Sequence, residues 1–178
     1  MRGELFKQIE DYPSYEVSSY GRVLNIKTGR TLAVVKNATN GWYFVGLRHD
    51  GRQRMVPLPR LVAEAFLQDP KDPNTSVVHR DGDRSNNHVS NLAWMPRWFV
   101  VMYMREMARP HYHRHEELVS QNTGEVFDSV AHVASVVMAL PSTVFAGAYG
   151  ADPTHYPVYG YIAQRHKILS YSQTFRGL

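Results

Sequence analysis

Short strand-like runs rich in apolar residues alternate with polar turns through much of the first sixty residues: Tyr15-Glu16-Val17, Gly21-Arg22-Val23-Leu24, Thr31 to Val35, Trp42 to Leu47 and Arg54-Met55-Val56. Runs of this length and composition predict strands. Thr28-Gly29, Asn40-Gly41 and Asp50-Gly51 fall between the runs and supply the residues that tight hairpin turns need. A small, strongly twisted antiparallel sheet is expected, then a helix from Pro59 to about Phe66. The Pro- and Asp-rich stretch Gln68 to Ser76 reads as a connector. Beyond it a short apolar strand closes at His79, the polar loop RDGDRSNNHVS follows, and a second strand opens at Asn91. A helix is expected from near Pro96 to just before Pro110.

The last third repeats the pattern on a smaller scale. Leu118-Val119-Ser120 and Glu125-Val126-Phe127 predict a hairpin. A helix follows, capped by Asp128 or Ser129, with Val130, Val133, Ala134, Val137 and Met138 on its apolar face. A second helix is expected from Ser142 to about Ala148, then a Tyr-rich strand Val158 to Ile162; the tail HKILSYSQTFRGL carries no signal. The fold class is α+β, in three modules: residues 1–67, 68–109 and 110–178.

Composition narrows the setting. With 43% hydrophobic and 12% aromatic residues, the 178-residue chain has ample material for packed cores. It contains no cysteine, so neither disulfides nor thiolate zinc sites staple the small modules, and a cytoplasmic home is expected. No apolar run approaches the length of a membrane span, and the N-terminus lacks the basic start and apolar core of a signal peptide. A net charge of +4 and a pI near 9.4 permit nucleic-acid binding without requiring it.

The stretch VVHRDGDRSNNHVSNLAW, Val77 to Trp94, resembles the HNH nucleases. Their ββα-metal motif has a strand ending in His, a loop rich in Asp, Gly and Asn, a strand beginning Asn-Leu-x-Trp, and a helix. Upstream, YEVSSYGRV, a Gly-Trp strand and Arg60-Leu61-Val62-Ala63-Glu64-Ala65-Phe66 resemble the module that precedes this core in phage and intron-encoded homing endonucleases. Pro59 stands where that family often has His. The resemblance implies that His79 matches the general base that takes a proton from the attacking water, and Asn91 the Asn that holds the loop and orients the His. It also implies a divalent metal, Mg²⁺ or Mn²⁺, held just before the His and on the following helix. Those two positions read Val78 and Val100, and an isopropyl group offers a hard cation no oxygen. Asp81 and Asp83 read as loop-capping residues, Arg97 and Met104 flank Val100 one turn away, and no metal site is expected. His79 is then a vestigial base.

In that family the N-terminal hairpins lie along DNA. Lys27, Arg30, Lys36, Arg48, Arg52 and Arg54 sit in or beside the hairpin turns here, where a ribbon can touch phosphates or enter a groove of double-stranded DNA. The C-terminal order of hairpin, helix, turn and helix resembles the helix-turn-helix that follows HNH cores, although STVFAGAYG has no Arg, Lys, Asn or Gln to read bases. The helix after Trp94 is nearly apolar all round, and Trp98, Phe99, Met102, Met104 and Met107 form a candidate protein interface. His111, His113 and His115 read as a solvated linker rather than a metal site. The expected function is a phage-related, catalytically silent DNA-binding protein, with two alternatives: a regulator that binds protein through residues 96–109, or an active metal-dependent nickase.

Overall fold

The computed structural model describes residues 3–68, 70, 72–115, 117–120, 122–149 and 161–163, and these form an α+β protein whose sheets are all antiparallel. The chain divides into two compact units. The first holds the residues up to His79 and from Asp83 to Val100; the second holds Arg80–Gly82 and the chain from Val101 onward.

The first unit is built around one short helix. Strands β1 (Phe6–Ile9), β2 (Tyr12–Ser18), β3 (Val23–Asn25) and β4 (Arg30–Thr31) form a sheet in that order. Strands β5 (Val34–Lys36), β6 (Tyr43–His49) and β7 (Arg52–Pro57) form a second sheet. Helix α1 (Leu58–Phe66) follows directly, and the ladder of β8 (Thr75–His79) with β9 (Leu92–Pro96) completes the unit. Leu58, Leu61, Val62 and Ala63 give α1 a buried stripe with the spacing of one helical face. That stripe meets Ile9, Tyr15 and Val17 from the first sheet, Val45 and Leu47 from the second, and Val77 and Leu92 from the ladder. One helix therefore serves as the shared core of three small sheets, none of which has enough apolar surface to stand alone.

The turns follow the residues. Asp50 and Gly51 both have positive φ, as a two-residue hairpin turn requires. Asn37 accepts from the amides of Thr39 and Asn40 and so holds the longer turn between β5 and β6. Two expectations need correction. Thr31 to Val35 is not one strand: the chain leaves the first sheet at Thr31, tucks Leu32 against the core and enters the second sheet at Val34. An apolar run marks a strand but does not name its partner, so the switch of sheets leaves no trace in the pattern. Strand β1 was also not expected, because three of its four residues are exposed. Main-chain pairing and the bond from Lys7 Nζ to the Ala65 carbonyl (2.9 Å) hold it instead.

Helix α2 (Arg97–Met107) carries the chain from the first unit into the second. The second unit contains β10 (Leu118–Ser120) flanked by β11 (Val126–Phe127) and β12 (Tyr161–Ala163), with helices α3 (Val130–Val137) and α4 (Pro141–Tyr149). Ser129 Oγ accepts from the His132 amide and caps α3, and Met138 in the left-handed conformation ends it. Of the expected strand Val158 to Ile162 only Tyr161 and Ile162 are among the described residues, in β12, and the tail lies wholly outside them. In the segment after α2, His111, His113 and His115 are exposed, but the segment is more ordered than a plain linker: it forms a 3-10 turn, Pro110–His113, with Tyr112 buried and His113 Nε2 2.6 Å from the Met107 carbonyl oxygen. Among the described residues, no single helix is long and apolar enough to cross a membrane.

Candidate functional site

The β8–β9 ladder sets the geometry. Val77 stands opposite Trp94, Val78 opposite Ala93 and His79 opposite Leu92. Neighbouring side chains on a strand point to opposite faces, so Val77 and His79 share one face and Val78 takes the other. Val77 and Leu92 join the core around α1, which explains why the chain buries His79 beside them with no exposed surface.

The loop that returns the chain to β9 is held by its own polar side chains. Asp83 accepts from the amide (2.8 Å) and hydroxyl (2.7 Å) of Ser85, which hold its carboxyl below the usual value. Asn87 Nδ2 donates to the carbonyls of Arg84 and Ser85, both at 3.2 Å. That commitment turns Oδ1 toward His79, 3.1 Å from its Nε2. An amide oxygen only accepts, so Nε2 carries the proton and donates. Asn91, at the end of the 3-10 turn Val89–Asn91, donates from Nδ2 to the Asn86 carbonyl at 2.8 Å. Asn91 thus holds the loop, and Asn87 links that loop to the imidazole of His79. Asn87 is the residue that sequence reasoning missed: it lies within a run of polar loop residues, and only its burial, 6% exposed, distinguishes it.

The N-terminal module braces this loop. Val89 donates its amide to the Ser19 carbonyl (2.9 Å), and Tyr20 sets its ring edgewise on His88 at 4.5 Å. Gly21, at φ +82°, lies so close to Asn87 that an added Cβ would stand 2.9 Å from the Asn87 Cβ. From the second sheet, Trp42 reaches His79 with ring centres 5.8 Å apart, and Arg84 lies over Trp42 at 5.3 Å.

The two positions matched to metal ligands are apolar and buried: Val78 has no exposed surface and Val100 has 7%. The residues present do not fit a hard divalent cation, which needs oxygen donors. Among the described residues no group of three or more His, Cys, Asp or Glu could hold a metal ion.

The six basic residues named from sequence are all exposed, but they do not form one surface. Lys27 and Arg30 flank the β3–β4 turn in the first sheet, whereas the other four lie in the second. Arg54 pairs with Leu47 and Arg52 with His49, so both point to the face that carries buried Val45 and Leu47; Arg48 and its partner Gln53 point to the other. Arg52 and Arg54 line an open hollow with Glu10, Asp11, Tyr12, His49 and Asp50, a surface of mixed charge. On α2, Trp98 (65%), Val101 (63%) and Met102 (45%) are exposed, and Phe99 and Met104 are half-buried. Met107 is a correction: it is buried, and an added Cβ on Gly82 would stand only 3.1 Å from its Cβ, so it packs inward and forms no surface.

The helix pair α3 and α4 has the expected shape, but the start of α4 is occupied. Glu106 accepts from the Ser142 amide (2.9 Å) and hydroxyl (3.0 Å), placing a carboxylate where a helix N-terminus would otherwise receive a phosphate.

Comparison with known proteins agrees with this geometry. The NUMOD4 motif matches residues 4–48. An uncharacterised HNH endonuclease of Acanthamoeba polyphaga mimivirus is 34% identical over 89 residues, covering 50% of this chain and 22% of that protein. DNA endonuclease I-HmuI of Bacillus phage SP01 is 34% identical over 91 residues, 51% of each chain. H-N-H endonuclease F-TflII of Escherichia phage T5 is 32% identical over 98 residues, 54% of this chain and 50% of that one. The matched stretch thus spans about half the length of the phage relatives and less of the viral one. The solved structure described as DNA binding and cleavage by the HNH homing endonuclease I-HmuI superposes with a TM-score of 0.52 at 22% identity, covering 90% of this chain and 98% of that one, and so matches the fold.

Proposed function

We propose that this chain, which is similar to the HNH homing endonucleases, binds double-stranded DNA and does not cut it. The observation that carries the second half is the pair of buried valines, Val78 and Val100, where the family places its metal ligands. A nuclease of this type uses the metal to stabilise charge on the phosphate and the histidine to accept a proton from water. Here the cation lacks donors at both places. His79 has no surface through which water can reach it, and its Nε2 is engaged as a donor to Asn87. The retained histidine and asparagines hold the loop.

DNA contact is assigned to the exposed bases of the hairpins, Lys27, Arg30, Lys36, Arg48, Arg52 and Arg54, rather than to α4, whose N-terminus is filled by Glu106. Supercoiled DNA with Mg²⁺ or Mn²⁺ is expected to remain intact, while a labelled duplex is retained in a salt-dependent way. Each lost phosphate contact flattens the logarithmic salt dependence by roughly 0.9. Because Arg48 faces away from Arg52 and Arg54, a duplex lying on one face of the sheet should lose slope on replacing Arg48 or on replacing the other two, but not on both. Nicking that disappears in His79→Ala would show instead an active metal-dependent nickase.

A second reading has its own observation. Trp98, Val101 and Met102 expose large apolar groups on α2, which suits a protein-binding regulator that reuses the scaffold.

A further inference from the structure

We infer that Trp42, pinned by Arg84, is a cap that closes His79 off from solvent, so that the site is silenced a second time, independently of the missing ligands. The inference rests on the reading of His79 as a silent base, and it concerns what keeps the imidazole unreachable rather than what the chain binds.

The turn between β5 and β6 sets the position of Trp42. Asn37 donates its amide to the Trp42 carbonyl and accepts from Thr39 and Asn40, and Asn40 Oδ1 in turn accepts from the Trp42 amide at 3.0 Å. The backbone under Trp42 is thereby fixed, and its indole projects from a rigid turn. The ring lies 5.8 Å from the His79 ring, tilted by 58°. Trp42 itself is only half-buried, so on this side the indole is what separates the imidazole from water. Asn87 at 3.1 Å and the core residues packed around Val77 and Leu92 close the others.

Arg84 holds the indole in place from outside. Its guanidinium sits 5.3 Å from the Trp42 ring centre, the geometry of a cation over an aromatic face. The Nη1 atom donates to the Asn40 carbonyl, on the same turn. Gly41 supplies the positive φ of +70° that this turn needs, and the turn leaves Arg84 room, since even an added Cβ would lie 3.6 Å from Nη1, an ordinary contact. Arg84 Nε is buried without a hydrogen-bond partner, so packing on the ring, and not a full set of hydrogen bonds, accounts for its position. The order is imidazole, indole, guanidinium: a base covered by a ring and the ring covered by a charge. Trp42 comes from the N-terminal module and Arg84 from the loop that follows His79, 42 residues apart in sequence, so the latch joins the two parts of the first unit. A consequence is that rebuilding oxygen ligands at positions 78 and 100 would leave His79 unreachable while the cap stays shut.

The test is the rate at which diethyl pyrocarbonate modifies each histidine in the whole protein at neutral pH, read by mass spectrometry of proteolytic fragments. His49 and His132, whose side chains are about half exposed, serve as internal references. In the unaltered protein His79 should react at least about tenfold more slowly than these, because a buried group is modified only through local opening. Trp42→Ala should bring His79 close to the reference rate, Trp42→Phe should keep most of the protection, and Arg84→Met should give an intermediate rise. If Trp42→Ala does not fold, Arg84→Met decides. Reaction of His79 at the reference rate in the unaltered protein overturns the cap, as does full protection surviving in Trp42→Ala or in Arg84→Met. The cap and the silent reading fail separately: nicking by the unaltered protein removes the second, whereas protection that ignores Trp42 removes only the first.

Discussion

His79 and Val78 are neighbours on β8, both without exposed surface, yet one is a polar group held by a buried partner and the other is an apolar group. At His79 a polar group remains, because the fold still uses it: Asn87 bonds its Nε2 and spends its own amide on two loop carbonyls. A buried polar group with partners costs little net, whereas removing one partner leaves the other unsatisfied. At Val78 and Val100 a polar ligand would have no partner other than a cation, and a buried carboxylate without one is expensive. Under the proposal that the chain does not cut DNA, stability alone keeps the first kind of residue and disfavours an unpaired ligand at the second.

Val78→Asp is the strongest way to break that contrast. It should destabilise the protein by roughly 3–5 kcal/mol at neutral pH, the cost of an unpaired buried charge, as measured by urea denaturation. With Val100→Asn added, Mg²⁺ should restore part of the loss, because a ligand bound only by the folded state stabilises it. If Val78→Asp alone costs nothing, the position is wet, and the contrast between the two neighbours dissolves.

Next in size is the kept side of the pair. Asn87→Ala removes the partner of His79 Nε2 and the donor to two carbonyls, and about 2–3 kcal/mol should be lost. Gly21→Ala should cost about 2 kcal/mol, from the positive φ and from the Cβ it would press on Asn87. Coupling is the sharper measurement. In Asn87→Ala the loop that carries the opposing Cβ has lost its hydrogen bonds and can give way, so Gly21→Ala should cost less there and the double variant should lose less than the sum. Strict additivity would mean that Gly21 acts through its own turn and not through the loop that holds His79.

The legible parts of this molecule were those written in local chemistry. Asp50-Gly51 announced its turn, Pro59 its helix and Ser129 its cap, and the run from Val77 to Trp94 carried the ββα core as an ordered string of residue types. What stayed hidden depends on residues distant in sequence. Nothing around Gly21 says that Asn87 will lie against it, nothing in Trp42 says that Arg84 will cover it, and an amphipathic strand such as β2 does not show that an almost wholly exposed β1 will pair with it. The distribution of the six hairpin bases over two sheets and two faces also follows from register, which a one-residue shift would reverse.

The smallest expected effects lie on α2, where the contrast between polar and apolar residues turns into one between inside and outside. Trp98 and Met102 are large apolar groups in water, and Met107, five residues beyond Met102, is buried against Gly82. An Asp at an exposed position loses no buried contact, so Trp98→Asp and Met102→Asp should each change stability by no more than about 0.5 kcal/mol. Trp98 is the more demanding case, because its ring rests edgewise on Phe99 at 5.9 Å and that contact is lost with it. Met107→Asp is the internal standard and should be severe, since the carboxylate would be buried without a partner. If all three variants unfold alike, α2 is ordinary core on every side and the protein-binding reading loses its support. If only Met107→Asp does, the exposed face of α2 is retained for something other than folding, and loss of partner capture in Trp98→Asp at unchanged stability would identify it as a protein-binding surface.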